Sequence, residues 1–134
     1  MATKMFVNIP VRDLKRSMDF FSALGFSFDR RFTDETAASM VVSEENYVML
    51  LTHDKFREFT GKEIADAQKS TEVIIAISAD SRVAVDELAD KALNNGGTEP
   101  APAKDYGFMY QRSFQDPDCH MWEVLYMDMS MVNW

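Results

Sequence analysis

Among the 22 carboxylates, two histidines and one cysteine of this 134-residue sequence, one carboxylate is the most informative because it lies among apolar residues. Glu123 lies in an apolar run close to the C-terminus. A carboxylate in such a run must be hydrogen-bonded, paired with a cation or held neutral. Glu123 is therefore a candidate general base or polar anchor of a ligand site. The alternative is a structural ion pair with Arg112 or another cation.

The histidines and the cysteine offer little further chemistry. Residues i and i+3 of a regular strand face opposite sides, so His120 and Glu123 are not expected to form a ligand pair. His53 lies at the end of a predicted strand, next to Asp54, which indicates an exposed surface histidine. Cys119 is the single cysteine, so an internal disulfide and a thiolate-rich zinc site are both excluded. A reactive thiol at Cys119 is the less favoured alternative to a structural role.

Two further strands carry polar side chains that could contact a ligand. Tyr110 and Arg112 share one face of the predicted strand 107–115, where they could stack on and anchor an aromatic or carboxylate ligand. The alternative is core packing, with the charged end of Arg112 reaching water. Asn8, in the first predicted strand, could present its amide to a ligand or satisfy backbone groups at a strand edge.

The elements that position these residues follow one pattern in the first half of the chain. A strand over 5–11 precedes Asp13, a candidate N-cap, and Gly25 supplies the stop for the helix between them. Three short β-prone runs follow, over 26–33, 36–42 and 46–53. The first half, residues 1–53, therefore has a predicted βαβββ order.

The second half, residues 72–134, repeats this order. A strand over 72–79 leads into Asp80-Ser81 and an amphipathic helix that Gly96-Gly97 closes, and strands are predicted over 107–115 and 120–127. Placing Asp13 over Asp80 relates the halves by an offset of 67 residues. This repeat predicts two modules of the same architecture within one domain, residues 1–134.

A polar segment, residues 54–71, connects the halves. Phe56, Phe59 and Ile64 are embedded in it, and Thr60-Gly61-Lys62-Glu63 has the spacing of a capping box. We expect a partly helical connector whose aromatic residues pin it to the core. A mobile lid over a pocket is the alternative.

Composition narrows the range of partners. The formal net charge is -8, and the resulting field repels nucleic-acid phosphates and anionic lipid surfaces. The apolar run after Met1 is too short for a signal peptide or a membrane span. We therefore expect a cytoplasmic protein whose partner is a small molecule rather than nucleic acid or membrane.

Two stretches of the sequence carry a family resemblance. VRDLKRSMDFFSALGF (11–26) and DPDCHMWEVLYMD (116–128) resemble the signature segments of the vicinal-oxygen-chelate superfamily, which includes glyoxalase I, bleomycin-resistance proteins and extradiol dioxygenases. The resemblance is greatest to predicted lactoylglutathione lyases. It implies an α+β fold of paired βαβββ modules whose curled mixed sheets surround a cavity. Cys119 stands where the family pattern has glycine, so a positive φ is expected there.

The resemblance also implies four strand positions from which metal-containing members bind a divalent cation. These positions correspond to Phe6, Leu50, Ile74 and Glu123, each to within about one residue. Only Glu123 could bind a metal, and one carboxylate among apolar residues does not hold a hard cation. No metal site and no cofactor are therefore predicted. The expected ligand contacts, with Glu123 as the catalytic candidate, are Phe6, Asn8, Leu50, Ile74, Tyr110 and Arg112.

The expected function is the binding of a small molecule in an apolar cavity, by a homodimer without a tightly bound metal. One alternative is a metal-dependent enzyme, either a lyase similar to lactoylglutathione lyase or a ring-cleaving dioxygenase, in which the ligand positions have shifted. Another alternative is an antibiotic-sequestering resistance protein. The fold alone does not choose among them, because this superfamily supports many activities.

Overall fold

The computed structural model describes residues 2–132, and Met1, Asn133 and Trp134, which the predicted domain includes, lie outside the described residues. The chain divides into two compact units, Met1–Asp66 (unit 1) and Ala67–Trp134 (unit 2). Each unit contains one βαβββ module with a four-stranded mixed sheet that does not close into a barrel. The predicted α+β class with paired modules is confirmed.

Unit 1 has one parallel strand pair inside a sheet that is otherwise antiparallel. Its strand order is β1-β4-β3-β2, and β1 and β4 run parallel. The predicted strand 26–33 is mostly not a strand, because only two of its residues pair and a short 3-10 helix, Arg30–Phe32, follows them. The elements are β1 (Met5–Val11), α1 (Leu14–Ala23), β2 (Ser27–Phe28), β3 (Ala37–Val41), β4 (Asn46–Thr52) and α2 (His53–Thr60).

The first helix begins and ends where its sequence predicts. The carboxylate of Asp13 accepts a hydrogen bond of 3.2 Å from the backbone N–H of Arg16, which satisfies one donor of the first turn. Phe20 and Phe21 are buried on its inner face. Gly25, at φ 104°, allows the reversal after the last turn.

The second helix lies in the predicted connector, but its boundaries differ from the expectation. Thr52 is the N-cap of α2, with its hydroxyl accepting from Lys55, and Gly61 ends the helix in the left-handed conformation at φ 66°. The predicted capping box at Thr60-Gly61-Lys62-Glu63 was therefore wrong. Thr60 and Gly61 end a helix instead of starting one, because glycine tolerates the left-handed C-cap.

Unit 2 repeats the topology with the order β5-β8-β7-β6, in which β5 and β8 are parallel. Lys104 and Asp105, for which no strand was predicted, pair with β7 as an edge strand. A short 3-10 helix, Met129–Met131, follows β8. The elements are β5 (Ile74–Ser78), α3 (Arg82–Asn94), β6 (Lys104–Asp105), β7 (Met109–Gln115) and β8 (Met121–Met127).

The sequence offset between the two repeats is one residue larger than predicted. Asp13 is the N-cap of α1, and Ser81, whose hydroxyl accepts from Ala84, is the N-cap of α3. These caps are 68 residues apart, so Asp13 corresponds to Ser81 and not to Asp80. The shift matters because successive strand residues face opposite sides of a sheet.

In each unit a helix covers one face of the sheet. In unit 1, α1 packs against β3 and β4, and Met40 and Leu50 are fully buried there. In unit 2, α3 packs against β7 and β8, with Val85 and Ala89 in contact with Val124. Over residues 2–132, no helix is long and apolar enough to cross a membrane.

The turn between β7 and β8 contains the strained residue that the sequence predicted. Cys119 has a φ of 68°, and it is the one non-glycine residue with positive φ among residues 2–132. Its N–H donates to the carbonyl of Asp116 at 2.9 Å, which holds the turn closed. The left-handed conformation costs a residue with a Cβ roughly 1–2 kcal/mol.

Replacing this cysteine by glycine should stabilise the chain. Cys119→Gly removes the Cβ strain, and part of that gain is offset by the larger entropy of glycine in the unfolded chain. We expect the free energy of unfolding, measured in urea, to rise by about 0.5–1 kcal/mol. Cys119→Ala keeps the Cβ and is the matched control, for which no gain is expected. An equal gain in both variants would show that loss of the thiol, and not relief of strain, is responsible.

Candidate functional site

Strand register in unit 2 determines which of the predicted site residues share a face. Glu123 pairs with Ala76 of β5 and with Ser113 of β7, and paired residues point to the same side of a sheet. We call this side, which faces away from α3, the Glu123 face. It comprises Ile74, Ala76, Ser78, Lys104, Met109, Gln111, Ser113, Gln115, Met121, Glu123, Leu125 and Met127.

Glu123 lies on this face in a half-buried, partly polar setting. Its Oε2 accepts a hydrogen bond of 3.2 Å from the side-chain amide of Gln111. Ser113, directly opposite on β7, is 8% exposed, whereas Ile74 of β5 is 53% exposed. The carboxylate is thus held by an amide and remains at the edge of an accessible apolar surface.

The turn before β8 fixes the strand that carries Glu123. The buried carboxylate of Asp116 accepts hydrogen bonds from the backbone N–H groups of Asp118 (2.9 Å) and His120 (3.0 Å). It also accepts one from the indole N–H of Trp122 at 3.0 Å. Trp122 is fully buried and adjacent to Glu123. These three hydrogen bonds therefore fix the start of β8, and with it the position of Glu123.

Tyr110 and Arg112 face the other side of the sheet. Tyr110 packs on the cluster of Val85, Ala89 and Val124, and its hydroxyl donates to Asp86 of α3 at 2.6 Å. This hydrogen bond raises the pKa of the Tyr110 phenol. The structure therefore does not bring Tyr110 together with Glu123, and core packing, the predicted alternative, describes it.

Arg112 is bound to carboxylates of its own side of the sheet. Its guanidinium, with a side chain 12% exposed, contacts three of them, Asp86 (3.3 Å), Asp90 (2.8 Å) and Glu99 (2.9 Å). Burial alone would lower the pKa of Arg112, but hydrogen bonds to these carboxylates raise it. The predicted alternative for Glu123, an ion pair with Arg112, was therefore wrong, since the two lie on opposite faces.

In unit 1 the corresponding face carries Phe6 and Asn8, but not Leu50. Asn8 pairs with Met49, and Leu50 pairs with Ile9 on the side that is buried. The position equivalent to Glu123 is thus Met49, one residue from the predicted Leu50. The hydrophobic run of β4 gives no alternation from which this register could be read. We call the side with Phe6, Asn8 and Met49 the Asn8 face.

A hollow opens on the Asn8 face. It has a volume of about 700 Å³ and is lined by Asn8 together with Phe56, Phe59 and Thr60 of α2. Because α2 contacts β1 and β4, it forms one wall over the sheet. At the other end of the face, the rings of Phe6 and Tyr47 stack with centroids 5.0 Å apart. Phe56 and Phe59 of the connector thus line an accessible hollow. Contact with a pocket was predicted for this segment only in the alternative in which it forms a lid.

The histidines and the cysteine are placed apart from these faces. His53 is the first residue of α2 and is half-buried, not fully exposed as expected. His120 precedes β8 in the Asp116 turn, where its N–H donates to that carboxylate. Cys119 is half-buried in the same turn. Within residues 2–132, no group of three or more His, Cys, Asp or Glu side chains could hold a metal ion.

The residues at the four superfamily metal positions do not fit a divalent cation. Unit 1 presents Phe6 and, after the register correction, Met49, which are a ring and a thioether. Unit 2 presents Ile74 and Glu123, of which one is a carboxylate. Hard divalent cations require several oxygen or imidazole ligands, and neither unit supplies more than one at these positions.

Comparison with protein families supports the predicted resemblance. Residues 3–43 match the family model described as bleomycin resistance protein-like N-terminal. This segment contains β1, α1, β2 and β3, and so includes the first of the two stretches on which the resemblance was based. No curated protein sequence matches the chain.

Solved structures share the fold over nearly the whole chain. A hypothetical protein from S. aureus is 25% identical, with a TM-score of 0.79 and coverage of 94% of each chain. A glyoxalase/bleomycin resistance protein/dioxygenase family enzyme from Burkholderia phytofirmans is 18% identical, with a TM-score of 0.80 and coverage of 94% and 99%. Lactoylglutathione lyase from Agrobacterium tumefaciens is 12% identical, with a TM-score of 0.71 and coverage of 99% of each chain. The fold is that of the glyoxalase/bleomycin resistance/dioxygenase superfamily.

The three hydrogen bonds to Asp116 should be sensitive to loss of one oxygen. In Asp116→Asn, either the two backbone donors or the indole donor must face an NH₂ group, which leaves a buried donor unpaired. We expect the free energy of unfolding to fall by roughly 1–3 kcal/mol. In the Trp122→Phe background the same change should cost less, because the amide oxygen can then face the backbone donors. Equal costs in the two backgrounds would exclude the indole bond as the cause.

The same variant should also respond to pH. Burial raises the pKa of Asp116, although the charge of nearby His120 acts in the opposite direction. The folded chain therefore binds this proton more tightly than the unfolded chain. The resulting stabilisation is full below the ordinary Asp pKa of about 4 and is lost as pH rises through the folded-state pKa. The stability difference between the native chain and Asp116→Asn, from urea unfolding at a series of pH values, should shrink as pH rises. Growth of that difference would contradict the assignment.

Proposed function

We propose that this chain binds a small, largely apolar molecule and does so without a complete divalent metal site. The observation that carries the proposal is the hollow on the Asn8 face, which combines two phenylalanine rings with one amide and one hydroxyl. Its volume of about 700 Å³ lies within the range of small-molecule sites, which are concave and mostly apolar with few polar groups.

The chemistry of the hollow favours ligands with a flat apolar body. Phe59 is 67% exposed, so a ligand that covers its ring removes a large apolar area from water. Asn8 offers both a carbonyl acceptor and an NH₂ donor, and its N–H contact with the carbonyl of Phe6 is long, at 3.4 Å. An amide held this weakly can exchange its partner for a ligand group at small cost.

The Glu123 face is the second part of the proposal. Among the strand residues of this face, Glu123 is the acidic group, and it is positioned by Gln111 and by the turn at Asp116. In a binding protein it would anchor a donor group of the ligand. In an enzyme it would be the group that accepts a proton from a bound substrate. The expected cytoplasmic location and homodimer remain predictions.

Methionine methyl groups provide a test, because they report on both faces separately. Met49 lies on the Asn8 face, Met109 and Met121 lie on the Glu123 face, and Met40 is fully buried. In a fragment screen followed by NMR of methyl-labelled methionine, we expect aromatic fragments to shift the Met49 signal and to leave Met40 unchanged. If no fragment shifts Met49, Met109 or Met121, the proposed function is wrong.

Two exposed phenylalanines of unit 1 form a matched pair of variants for this screen. Phe59, which lines the hollow, is 67% exposed, and Phe32, which does not, is 62% exposed. Phe59→Ala should weaken fragment binding at Met49 by roughly tenfold, since about half of a buried ring contribution is lost. Phe32→Ala should leave it unchanged. Equal effects of both variants would contradict the assignment of the hollow as the site.

Metal analysis tests the other half of the proposal. Freshly purified protein should contain far less than one equivalent of Ni, Zn, Fe or Mn, because the donor set supplies one carboxylate at the superfamily positions. Treatment with EDTA should change neither the melting temperature nor fragment binding. A stoichiometric metal that EDTA removes with loss of stability would overturn this and favour the lyase or dioxygenase alternative.

A further inference from the structure

We infer that the Glu123 face selects ligands that carry a positive charge on an apolar body, such as a protonated amine or an amidinium. This inference rests on the proposed function, since it names the class of ligand that one of its two surfaces would take. It starts from the charges and hydrogen-bonding groups that strand register brings to this side of unit 2.

Charged groups on the Glu123 face are few and well separated. Register assigns it one carboxylate, Glu123 in the central strand β8, and one ammonium, Lys104 in the edge strand β6. These strands lie two positions apart, a separation of about 10 Å at the usual strand spacing. An exposed ammonium on a strand at that separation is largely screened from the carboxylate by salt.

Within the part of the chain that the structure describes, the polar groups around Glu123 leave its acceptor capacity largely open. An ionised carboxylate offers about four lone-pair positions. The amide of Gln111 donates to Oε2, and the same amide contributes a carbonyl acceptor of its own. The centre of the face therefore has more acceptor than donor capacity, and it complements a ligand group with several N–H donors.

The apolar surroundings make this complementarity selective. Ile74 is 53% exposed and Met127 is 38% exposed, so an apolar ligand body has surface to cover beside the carboxylate. Covering Glu123 with a neutral hydrocarbon would remove water from a charged group without replacing its hydrogen bonds, which is unfavourable. An anionic ligand would add repulsion. A cation restores the lost hydrogen bonds with charge-assisted ones.

Three ligands of nearly the same shape test the inference: benzamidinium, benzamide and benzoate. Titrations are followed at the methyl signals of Met109 and Met121, which share the face with Glu123. We expect benzamidinium to bind at least about tenfold more tightly than benzamide, since hydrogen bonds to charged groups are worth more than neutral ones. Benzoate should bind most weakly of the three.

Glu123→Gln should reduce the affinity for benzamidinium to that for benzamide, without a comparable effect on benzamide itself. Two controls remove one charge elsewhere in unit 2: Glu87→Gln removes a negative charge at an exposed position of α3, and Lys104→Gln removes the positive charge at the edge of the same face. Both should retain the preference for benzamidinium. A preference that survives Glu123→Gln, or is lost in Glu87→Gln, overturns the assignment to Glu123.

The remaining outcomes separate this inference from the proposed function. If benzamide or benzoate binds as well as benzamidinium, the charge selectivity is wrong, but ligand binding on this face stands. If none of the three shifts Met109 or Met121, the inference is overturned. The proposed function is then decided by the response of Met49 alone, because that residue reports on the hollow in unit 1.

Discussion

The constraint on which this structure depends is the alternation of side chains along a strand. In each unit one helix covers one face of the sheet, so every second strand residue is fixed in the core beneath it. Leu50 and Trp122 lie on those covered faces and are fully buried. Their neighbours Met49 and Glu123 necessarily point to the other side. Strand register thus determines which residues can contact a ligand, and a shift of one residue moves a side chain to the opposite face.

The sequence was sufficient for the elements that local chemistry specifies. The order of strands and helices, the Asp13 cap and the positive φ at Cys119 each follow from a short motif. It was insufficient where the choice depends on pairing between distant segments. Apolar and polar residues do not alternate in β4, so Leu50 was predicted as the equivalent of Glu123, whereas the structure shows that it is Met49. The repeat was shifted by one residue for a different reason, because Asp80 and Ser81 are both residue types that favour the N-cap position.

The composition of β7 does not predict which of its two sides packs on the core. One side presents Tyr110, Arg112 and Phe114, and the other presents Met109, Gln111 and Ser113, so each mixes polar and apolar groups. The first side becomes the core because α3 supplies carboxylates at the right places for its hydroxyl and guanidinium. Polar groups satisfied in this way belong to the structure of the unit. They are not available to a ligand without the loss of several charge-assisted hydrogen bonds.

The opposite faces keep polar groups that the fold uses much less. Asn8 has a long contact with a neighbouring carbonyl, and Glu123 has an amide partner, whereas Arg112 has three carboxylates. This contrast bears on the chemistry of a superfamily fold whose metal positions are here mostly apolar. In the metal-free protein that we propose, selectivity would come from aromatic contact in unit 1 and from the Glu123 carboxylate in unit 2. Of the four positions Phe6, Met49, Ile74 and Glu123, Glu123 is the one that can anchor a donor group of a ligand or accept a proton, and one carboxylate by itself is a poor site for a hard divalent cation.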